Sequence, residues 1–274
     1  KWRAPFSLPC VNLALQPSSR GSEAQVEAAL GHGPGAGGAT PWRGFQPVYA
    51  AAGCCGRFAW NRPWNGFWNN YQHAAGDPMS TTTLTMSEAI REALREALDR
   101  PEPMMIVGQD IGPYGGAFGV TRGLSEVYGE EIIRDAPLCE SGTVGYAIGL
   151  AITGVRAVCE IEFFDFVGVA MDQIFNQAAK LHYFTGGKLT VPLVIRTPIV
   201  SRMGMGPQHS QSLESWFMHV PGIKIAIPSN AADAYGLLRT ALSDNNPVLF
   251  VENVRLYGRR AEVETGGPAI PFGK

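Results

Sequence analysis

From Met79 onward, short apolar runs alternate with segments of helical length, and this alternation constrains the fold more than any other feature. Five apolar runs are predicted to be buried strands: 104–107, 157–161, 191–195, 223–227 and 248–252. Helix-length segments between strands require crossover connections, which join parallel strands. We therefore predict an α/β fold, a mostly parallel sheet with helices on both faces.

The helical segments carry recognisable ends. Thr85 and Glu88 have capping-box spacing, in which each side chain bonds the backbone amide of the other residue. The helix that they begin is predicted to end near Pro101. Two further helices are predicted from apolar spacing, a long one at 167–184 and one at 231–242.

Residues 1–78 differ in composition from the rest of the chain. They hold five of the six tryptophans but only three acidic residues, and the run GHGPGAGG at 31–38 favours neither a helix nor a packed strand. They are rich in Gly, Pro and Trp, whereas a transit peptide is an Arg- and Ser-rich amphipathic helix. We predict that 1–78 are an unstructured or spurious upstream extension, that 79–262 form the folded domain, and that 263–274 begin a linker to an absent C-terminal domain.

Composition excludes several classes of function. A net charge of −2 and a pI near 6.2 predict neither a nucleic-acid partner nor an anionic membrane partner. No apolar run is long enough to span a membrane. Five cysteines without metal-ligand spacing indicate a reducing compartment. The sequence also lacks a Walker-type phosphate loop, a dinucleotide fingerprint and a G-x-S-x-G elbow.

Glu140 is the first candidate for chemistry. It stands near the start of PLCESGTVGYAIGLA at 137–151, a Gly- and Ala-rich stretch that is otherwise uncharged and is predicted to become a buried helix. Burying a carboxylate is costly unless it is paired or protonated, which would suit a catalytic acid. The spacing alone favours the alternative, a helix-start acid stabilised by backbone amides, and the catalytic interpretation stays open at this point.

Two further candidate regions follow. Residues 160–166 alternate acidic and apolar side chains, which indicates a strand end with one wet face; Asp165 could cap the next helix, and the phenylalanines could be core. His209 follows the Gly-rich run 201–206, so it could carry a proton or contact substrate on a mobile loop. The alternative for His209 is a cap of the helix predicted near Leu213.

Taken in order, nine short motifs resemble one family. They are QDIG at 109–112, YGGAFGVTRGL at 114–124, PLCE at 137–140, EFFDF at 162–166, MDQ at 171–173, NQAAK at 176–180, QHSQ at 208–211, HVPG at 219–222 and DNNP at 244–247. The set is similar to the beta subunits of thiamine-diphosphate-dependent 2-oxo acid dehydrogenase complexes, acting on pyruvate, branched-chain 2-oxo acids or acetoin. The resemblance covers Met79 to Lys274 and implies the pyrimidine-binding domain of the transketolase-like superfamily.

The resemblance implies roles for particular residues. Glu140 would hydrogen-bond a ring nitrogen of the cofactor's aminopyrimidine and favour the tautomer that removes the thiazolium proton. Phe166 would pack on the aminopyrimidine with Leu138 nearby, and His209 would contact substrate or intermediate. In some members a structural monovalent cation such as K⁺ is held at positions that match Leu193, Ala241, Asp244 and Asn246.

The resemblance also implies partners. In the family, Mg²⁺ and the diphosphate are held by an alpha subunit through a motif beginning Gly-Asp-Gly, which this sequence lacks. It therefore implies an assembly of two alpha and two beta subunits that oxidatively decarboxylates pyruvate or a branched-chain 2-oxo acid. The acyl group would pass to a lipoyl acyltransferase, in the cytoplasm or, in a eukaryote, the mitochondrial matrix. The alternatives are an acetoin dehydrogenase beta subunit, half of a split transketolase or deoxyxylulose-phosphate synthase, and a noncatalytic partner-binding remnant.

Overall fold

The structure, a computed structural model, describes residues 79–273, so the predictions for residues 1–78 lie outside the described residues. Its main sheet has six strands, all parallel, in the order β3-β2-β4-β5-β7-β6. These strands are β2 (Met104–Gly108), β3 (Ile133–Asp135), β4 (Arg156–Glu160), β5 (Leu193–Ile199), β6 (Lys224–Ala226) and β7 (Val248–Asn253). A separate antiparallel pair joins β1 (Ser80–Thr85) to β8 (Arg260–Thr265). The predicted α/β class is confirmed.

Helices connect and cover these strands. The α-helices are α1 (Met86–Leu98), α2 (Leu124–Tyr128), α3 (Glu140–Ile152), α4 (Leu181–Phe184), α5 (Glu214–Phe217) and α6 (Ala231–Ser243). The predicted capping box begins α1: Glu88 N donates to Thr85 Oγ1 at 3.3 Å, and Thr85 N donates to Glu88 Oε2 at 2.8 Å. In the part of the chain that the structure describes, no helix is long and apolar enough to cross a membrane.

The core lies on both faces of the main sheet because successive strand residues point to opposite sides. In β5, Val194 packs into the cluster formed with α1 and α6, whereas Ile195 packs into the cluster formed with α3 and the segment that follows β4. All residues of β2 and β5 are buried. Such continuous apolar strands are typical of a parallel sheet covered on both faces, as predicted.

The predicted long helix at 167–184 is wrong as a single α-helix. The segment consists of a 3-10 helix (Phe164–Ala170), a π-helix (Gln173–Ala178) and α4. The buried side chains of the 3-10 helix are Phe164, Val167 and Ala170, and their spacing of three matches the 3.0 residues per turn of that helix. The tertiary packing of this segment therefore selected a tighter winding for residues 164–170 and a looser one for residues 173–178 than the α-helix that the local pattern predicted.

The C-terminal residues pack onto α6. Residues 263–265, which the sequence assigned to the start of a linker, lie in β8. Beyond that strand, Ile270 N donates to Gly236 O at 3.1 Å and Thr240 Oγ1 donates to Ile270 O at 2.6 Å. The end of the described chain therefore covers one side of α6.

Candidate active site

The carboxyl edge of the parallel sheet gathers the side chains with chemical potential. Asp110 follows β2, Glu140 follows β3, Glu162 follows β4, and His209 lies on the loop after β5. In open α/β sheets, ligands bind in the crevice outside the carboxyl ends of the strands. This edge is therefore the candidate site.

Glu140 is the first residue of α3, and its side chain is half-buried. Cys139 precedes it without a side-chain capping bond. Within residues 79–273, the Glu140 carboxylate forms no hydrogen bond and no ion pair. A carboxylate at a helix start is favoured by the helix dipole, which explains why it is tolerated there. It is nevertheless an acceptor without a partner among the described residues, and it lies at the candidate edge.

Two more acidic groups lie near Glu140, and we call Asp110, Glu140 and Glu162 the edge carboxylates. Burial raises the pKa of Glu162, and the nearby charges of Asp110, Glu160 and Glu140 raise it further. A cleft carboxyl whose pKa is raised by burial and like charges is a recognised mark of a functional site. Glu162 was not among the site residues predicted from the sequence, although the acid–apolar alternation of residues 160–166 pointed to it.

Phe166 and His209 meet at the same edge of the sheet. Their ring centroids lie 5.2 Å apart at 84°. Phe163 completes the group: its ring lies 4.6 Å from His209 and 6.1 Å from Phe166, both edge to face. The sequence suggested Phe163 as core, and an aromatic residue in an apolar strand end gives no signal to distinguish the two cases. Leu138 is 81% exposed and projects from the turn before α3.

Ser141 connects Glu140 with the segment that carries Phe166. Its hydroxyl donates to Val169 O at 2.6 Å, so the start of α3 is tied to the 3-10 helix Phe164–Ala170. A groove of about 440 Å³ opens beside the same helix start and is lined in part by Pro137, Cys139 and Tyr146. The start of α3 and the segment that carries Phe166 are thus joined by a direct hydrogen bond.

A buried charge network lies beneath this edge and consists of Glu160, Arg196, Glu252 and Tyr257. Arg196 Nη1 donates to Glu160 Oε2 at 2.6 Å, and Arg196 Nε donates to Glu252 Oε1 at 2.7 Å. Tyr257 donates its hydroxyl to Glu252. Burial acts to lower the pKa of Arg196, but Glu252 and Glu160 outweigh it and raise that pKa. Burial and then Glu252 raise the pKa of Tyr257, so this phenol stays a donor.

The buried charge network also supports the Gly-rich loop after β2. Gly116 has a φ of 80°, and a Cβ at this position would lie 3.0 Å from Glu160 Oε1, so a side chain here would be both strained and crowded. Phe118 of the same loop packs edge to face on Tyr257 at 6.2 Å and on Phe163 at 5.7 Å. A continuous aromatic chain therefore links the network to the ring beside His209.

The predicted cation positions lie elsewhere, at the amino edge of the sheet. Asp244 Oδ1 accepts from Asn246 N at 2.9 Å, and Asp244 N donates to Ala241 O at 3.2 Å, so these three residues share one turn. Leu193 begins the neighbouring β5. Asp244 is also ion-paired with Lys224. Burial acts to raise the pKa of Asp244, but Lys224 and Asn246 outweigh it and lower it. A cation at this turn would compete with the Lys224 ammonium for the carboxylate.

Among residues 79–273, no cluster of three or more His, Cys, Asp or Glu side chains is arranged to hold a metal ion. The charges of Asp110 and Glu140 thus raise the pKa of Glu162, but the three carboxylates are not arranged as metal ligands. What the edge offers a ligand is unpaired carboxylates, an aromatic group and an imidazole. Such a set suits a planar nitrogen heterocycle, which needs an apolar face and a hydrogen-bonding partner at its ring nitrogen.

Comparison with known sequences identifies the family. The profile of the family "Transketolase, pyrimidine binding domain" matches residues 82–259. The chain therefore belongs to the transketolase pyrimidine-binding domain family.

Curated relatives make the similarity more specific. The chain is 48% identical over 161 residues to the acetoin:2,6-dichlorophenolindophenol oxidoreductase subunit beta of Cupriavidus necator, covering 59% of this chain and 47% of that protein. It is 41% identical over 181 residues to the mitochondrial pyruvate dehydrogenase E1 component subunit beta of Homo sapiens, covering 65% and 50%. The predicted resemblance to such beta subunits is confirmed. The chain spans about half the length of the curated relatives that it matches.

A solved structure supports the fold. The chain matches "Split gene transketolase, inactive beta4 tetramer" with a TM-score of 0.50 and 17% identity, over 62% of this chain and 51% of that chain. At this identity the match bears on the fold and not on activity. The transketolase-like architecture predicted from the motifs is confirmed.

Proposed function

We propose that this chain is the pyrimidine-binding part of a beta subunit in the decarboxylating component of a 2-oxo acid dehydrogenase complex. The observation that carries the proposal is the half-buried Glu140 carboxylate without a protein partner, at the same carboxyl edge of the sheet where the rings of Phe166 and His209 meet. The relatives named as pyruvate dehydrogenase E1 beta subunits support the choice of reaction. The same geometry disfavours a purely structural helix-start acid, because such an acid needs neither an aromatic group nor an imidazole nearby.

The described residues fit thiamine diphosphate as the cofactor. When bound, thiamine diphosphate supplies the electron sink for decarboxylation. Glu140 would hold a proton between its carboxyl oxygen and a ring nitrogen of the aminopyrimidine. Phe166 would offer its apolar face to the ring, with Leu138 alongside. His209 would hold a proton towards the carboxylate or carbonyl of the 2-oxo acid.

Partners complete the proposed site. An alpha subunit would hold Mg²⁺ and the diphosphate, in an assembly of two alpha and two beta chains, and a lipoyl acyltransferase would accept the acyl group. The enzyme would work in the cytoplasm or, in a eukaryote, in the mitochondrial matrix. We keep as a prediction the potassium ion at Leu193, Ala241, Asp244 and Asn246. It would have to compete with Lys224, which already neutralises the Asp244 carboxylate.

A second candidate substrate is acetoin. The observation that favours it is the 48% identity to the acetoin oxidoreductase subunit beta, higher than the 41% to the human pyruvate dehydrogenase subunit. The same residues would serve both substrates, because the cofactor chemistry at the ring is shared. Substrate choice would then depend on side chains of the alpha subunit as well as on those near His209.

The test is turnover in a reconstituted enzyme. The chain is combined with the alpha subunit from the same source, and thiamine-diphosphate-dependent turnover is measured with pyruvate, a branched-chain 2-oxo acid and acetoin. We expect Glu140→Gln to lower kcat by roughly 10²–10⁴-fold, the usual contribution of a positioned proton donor. The substrate that turns over fastest decides between the two candidates.

Glu126→Gln is the matched control for this test. Glu126 is also an acid in the first turn of a helix, α2, but it is exposed. Near-normal turnover is expected for this variant. If Glu140→Gln behaves like Glu126→Gln, then Glu140 only stabilises its helix, and the proposed role is wrong.

A further inference from the structure

The loop that carries His209 has little internal support. Residues 200–213 include three residues with left-handed backbone, namely Arg202, Gly204 and Gly206, with φ of 64°, 76° and 83°. Most of the loop is exposed, including Met203 and Met205. Segments with few buried contacts open locally at low free energy. A contact with an element outside the loop is therefore needed to fix the position of His209.

Asp165 supplies that fixed point. Its Oδ1 accepts two hydrogen bonds from Gln211, from the backbone N at 3.2 Å and from Nε2 at 2.8 Å. Among the described hydrogen bonds of the loop, these two join it to a distant element. The others stay within residues 200–216, as when the Ser201 hydroxyl donates to Ser210 O at 2.9 Å.

The position of Asp165 is itself fixed by the core. It lies inside the 3-10 helix Phe164–Ala170, where the N-cap residue is Phe163, so Asp165 is not the helix cap that the sequence allowed. On one side, Phe164 is fully buried and stacks on Phe217 at 5.9 Å. On the other side, Phe166 contacts His209. One short helix thus anchors in the core, holds the loop through a carboxylate and presents an aromatic face to the imidazole.

We propose that Asp165 is a positioning residue, which holds His209 against Phe163 and Phe166 through its two bonds to Gln211. A carboxylate suits this task because charge-assisted hydrogen bonds are stronger than neutral ones. Asparagine at position 165 would keep an acceptor oxygen but lose the charge, whereas alanine would release the loop. We call the two bonds from Gln211 to Asp165 the tether. The inference rests on the proposed function for the role of His209, while the tether itself can be measured without any cofactor.

The first test is trypsin cleavage of the full chain after Arg202, the exposed cation within the loop. Cleavage after Lys188, which is also exposed, serves as the internal reference. Relative to that reference, we expect Asp165→Ala to speed cleavage after Arg202 on the order of ten-fold, since charge-assisted hydrogen bonds are lost. The relative cleavage rate of Asp165→Asn should lie between those of wild type and Asp165→Ala. An unchanged ratio in Asp165→Ala would overturn the proposal.

Gln211→Ala keeps the test decisive if Asp165→Ala fails to fold. Gln211 is exposed, so this variant removes the Nε2 bond to Asp165 and keeps the backbone bond, without touching the core. It should speed cleavage after Arg202, but by less than Asp165→Ala does. Equal protection in wild type and Gln211→Ala would show that the loop is held by something else.

Two further readouts separate this proposal from the proposed function. By NMR, the His209 ring proton, assigned by its loss in His209→Gln, should move towards its free position in Asp165→Ala as the two phenylalanine rings are lost. In the reconstituted enzyme, Asp165→Ala should lower kcat with little change in thiamine diphosphate affinity. If no variant turns over but the loop is released, the proposed function fails and the tether stands. If Glu140→Gln abolishes turnover but Asp165→Ala leaves loop and ring proton unchanged, the tether fails alone.

Discussion

Two groups of acidic side chains lie at the carboxyl edge of the same sheet, and they differ in what neutralises them. In the buried charge network, Glu160 and Glu252 are both bonded to Arg196, and all three are almost fully buried. Glu140 and Glu162 of the edge carboxylates are half-buried and lack a cation or a hydrogen-bond donor within the described residues. Neutralised charge serves the fold, whereas unpaired charge is retained at the cost of stability where a ligand can use it.

The largest effect is expected from removing the cation of the network. Arg196→Leu leaves Glu160 and Glu252 buried without a counter-charge, so the free energy of unfolding should fall by roughly 3–5 kcal/mol, measured by urea denaturation. The control combines Arg196→Leu with Glu160→Gln and Glu252→Gln, which removes the charges together and should restore most of the loss. If Arg196→Leu alone is as stable as wild type, the buried charge network does not stabilise the fold.

A smaller loss of stability is expected from removing the hydroxyl of Tyr257, the uncharged member of the network. Tyr257→Phe removes one donor to Glu252, which keeps its bonds from Arg196 at 2.7 and 2.9 Å. Because the lost hydrogen bond goes to a charged group, we expect a loss of about 1.5–3 kcal/mol. Tyr146→Phe is the control, since that hydroxyl bonds no described residue, and it should leave stability unchanged. Equal losses in the two variants would contradict the prediction.

The smallest effect should be a gain in stability, because the substitution removes one of the mutually repelling edge carboxylates. The pKa of Glu162 is raised in the folded state by burial, then by Asp110, Glu160 and Glu140. The folded chain therefore holds this proton more tightly than the unfolded chain, so stability is lost as pH rises through the raised pKa. At pH 7, Glu162→Gln should raise Tm slightly, and the gain should vanish below about pH 4, the ordinary range of a glutamate. A Tm that falls at pH 7, or a gain that grows in acid, would refute this.

The same contrast explains what could be predicted from the sequence. The helix α1 and the sheet class follow from local patterns, such as the Thr85–Glu88 box and the apolar runs. Glu140 stood out because it is the one charge in an apolar stretch. The network was not predicted, since Arg196 finds its partners 36 and 56 residues away, at Glu160 and Glu252. Such pairings are set by strand order, which local sequence does not determine.

The winding of residues 164–178 escaped prediction for a related reason. Their apolar spacing is compatible with an α-helix, and only packing against α3 and β5 selects the 3-10 and π segments. That winding in turn places Phe166 beside His209 and Asp165 beside Gln211. Glu140, Phe166 and His209 were named from the motifs, whereas the bonds from Asp165 to Gln211 and the contact of Phe163 with His209 depend on the fold.

The most direct test of the central claim is calorimetric titration of thiamine diphosphate with Mg²⁺. The titration is run on the chain alone, on the chain with the alpha subunit from the same source, and on that mixture with Glu140→Gln. We predict tight binding in the wild-type mixture, none by the chain alone, and affinity weakened by about ten-fold or more in the variant, the equivalent of one lost charged hydrogen bond. Equal affinity with Glu140→Gln, or no binding in the wild-type mixture, would contradict a cofactor site shared between the two chains.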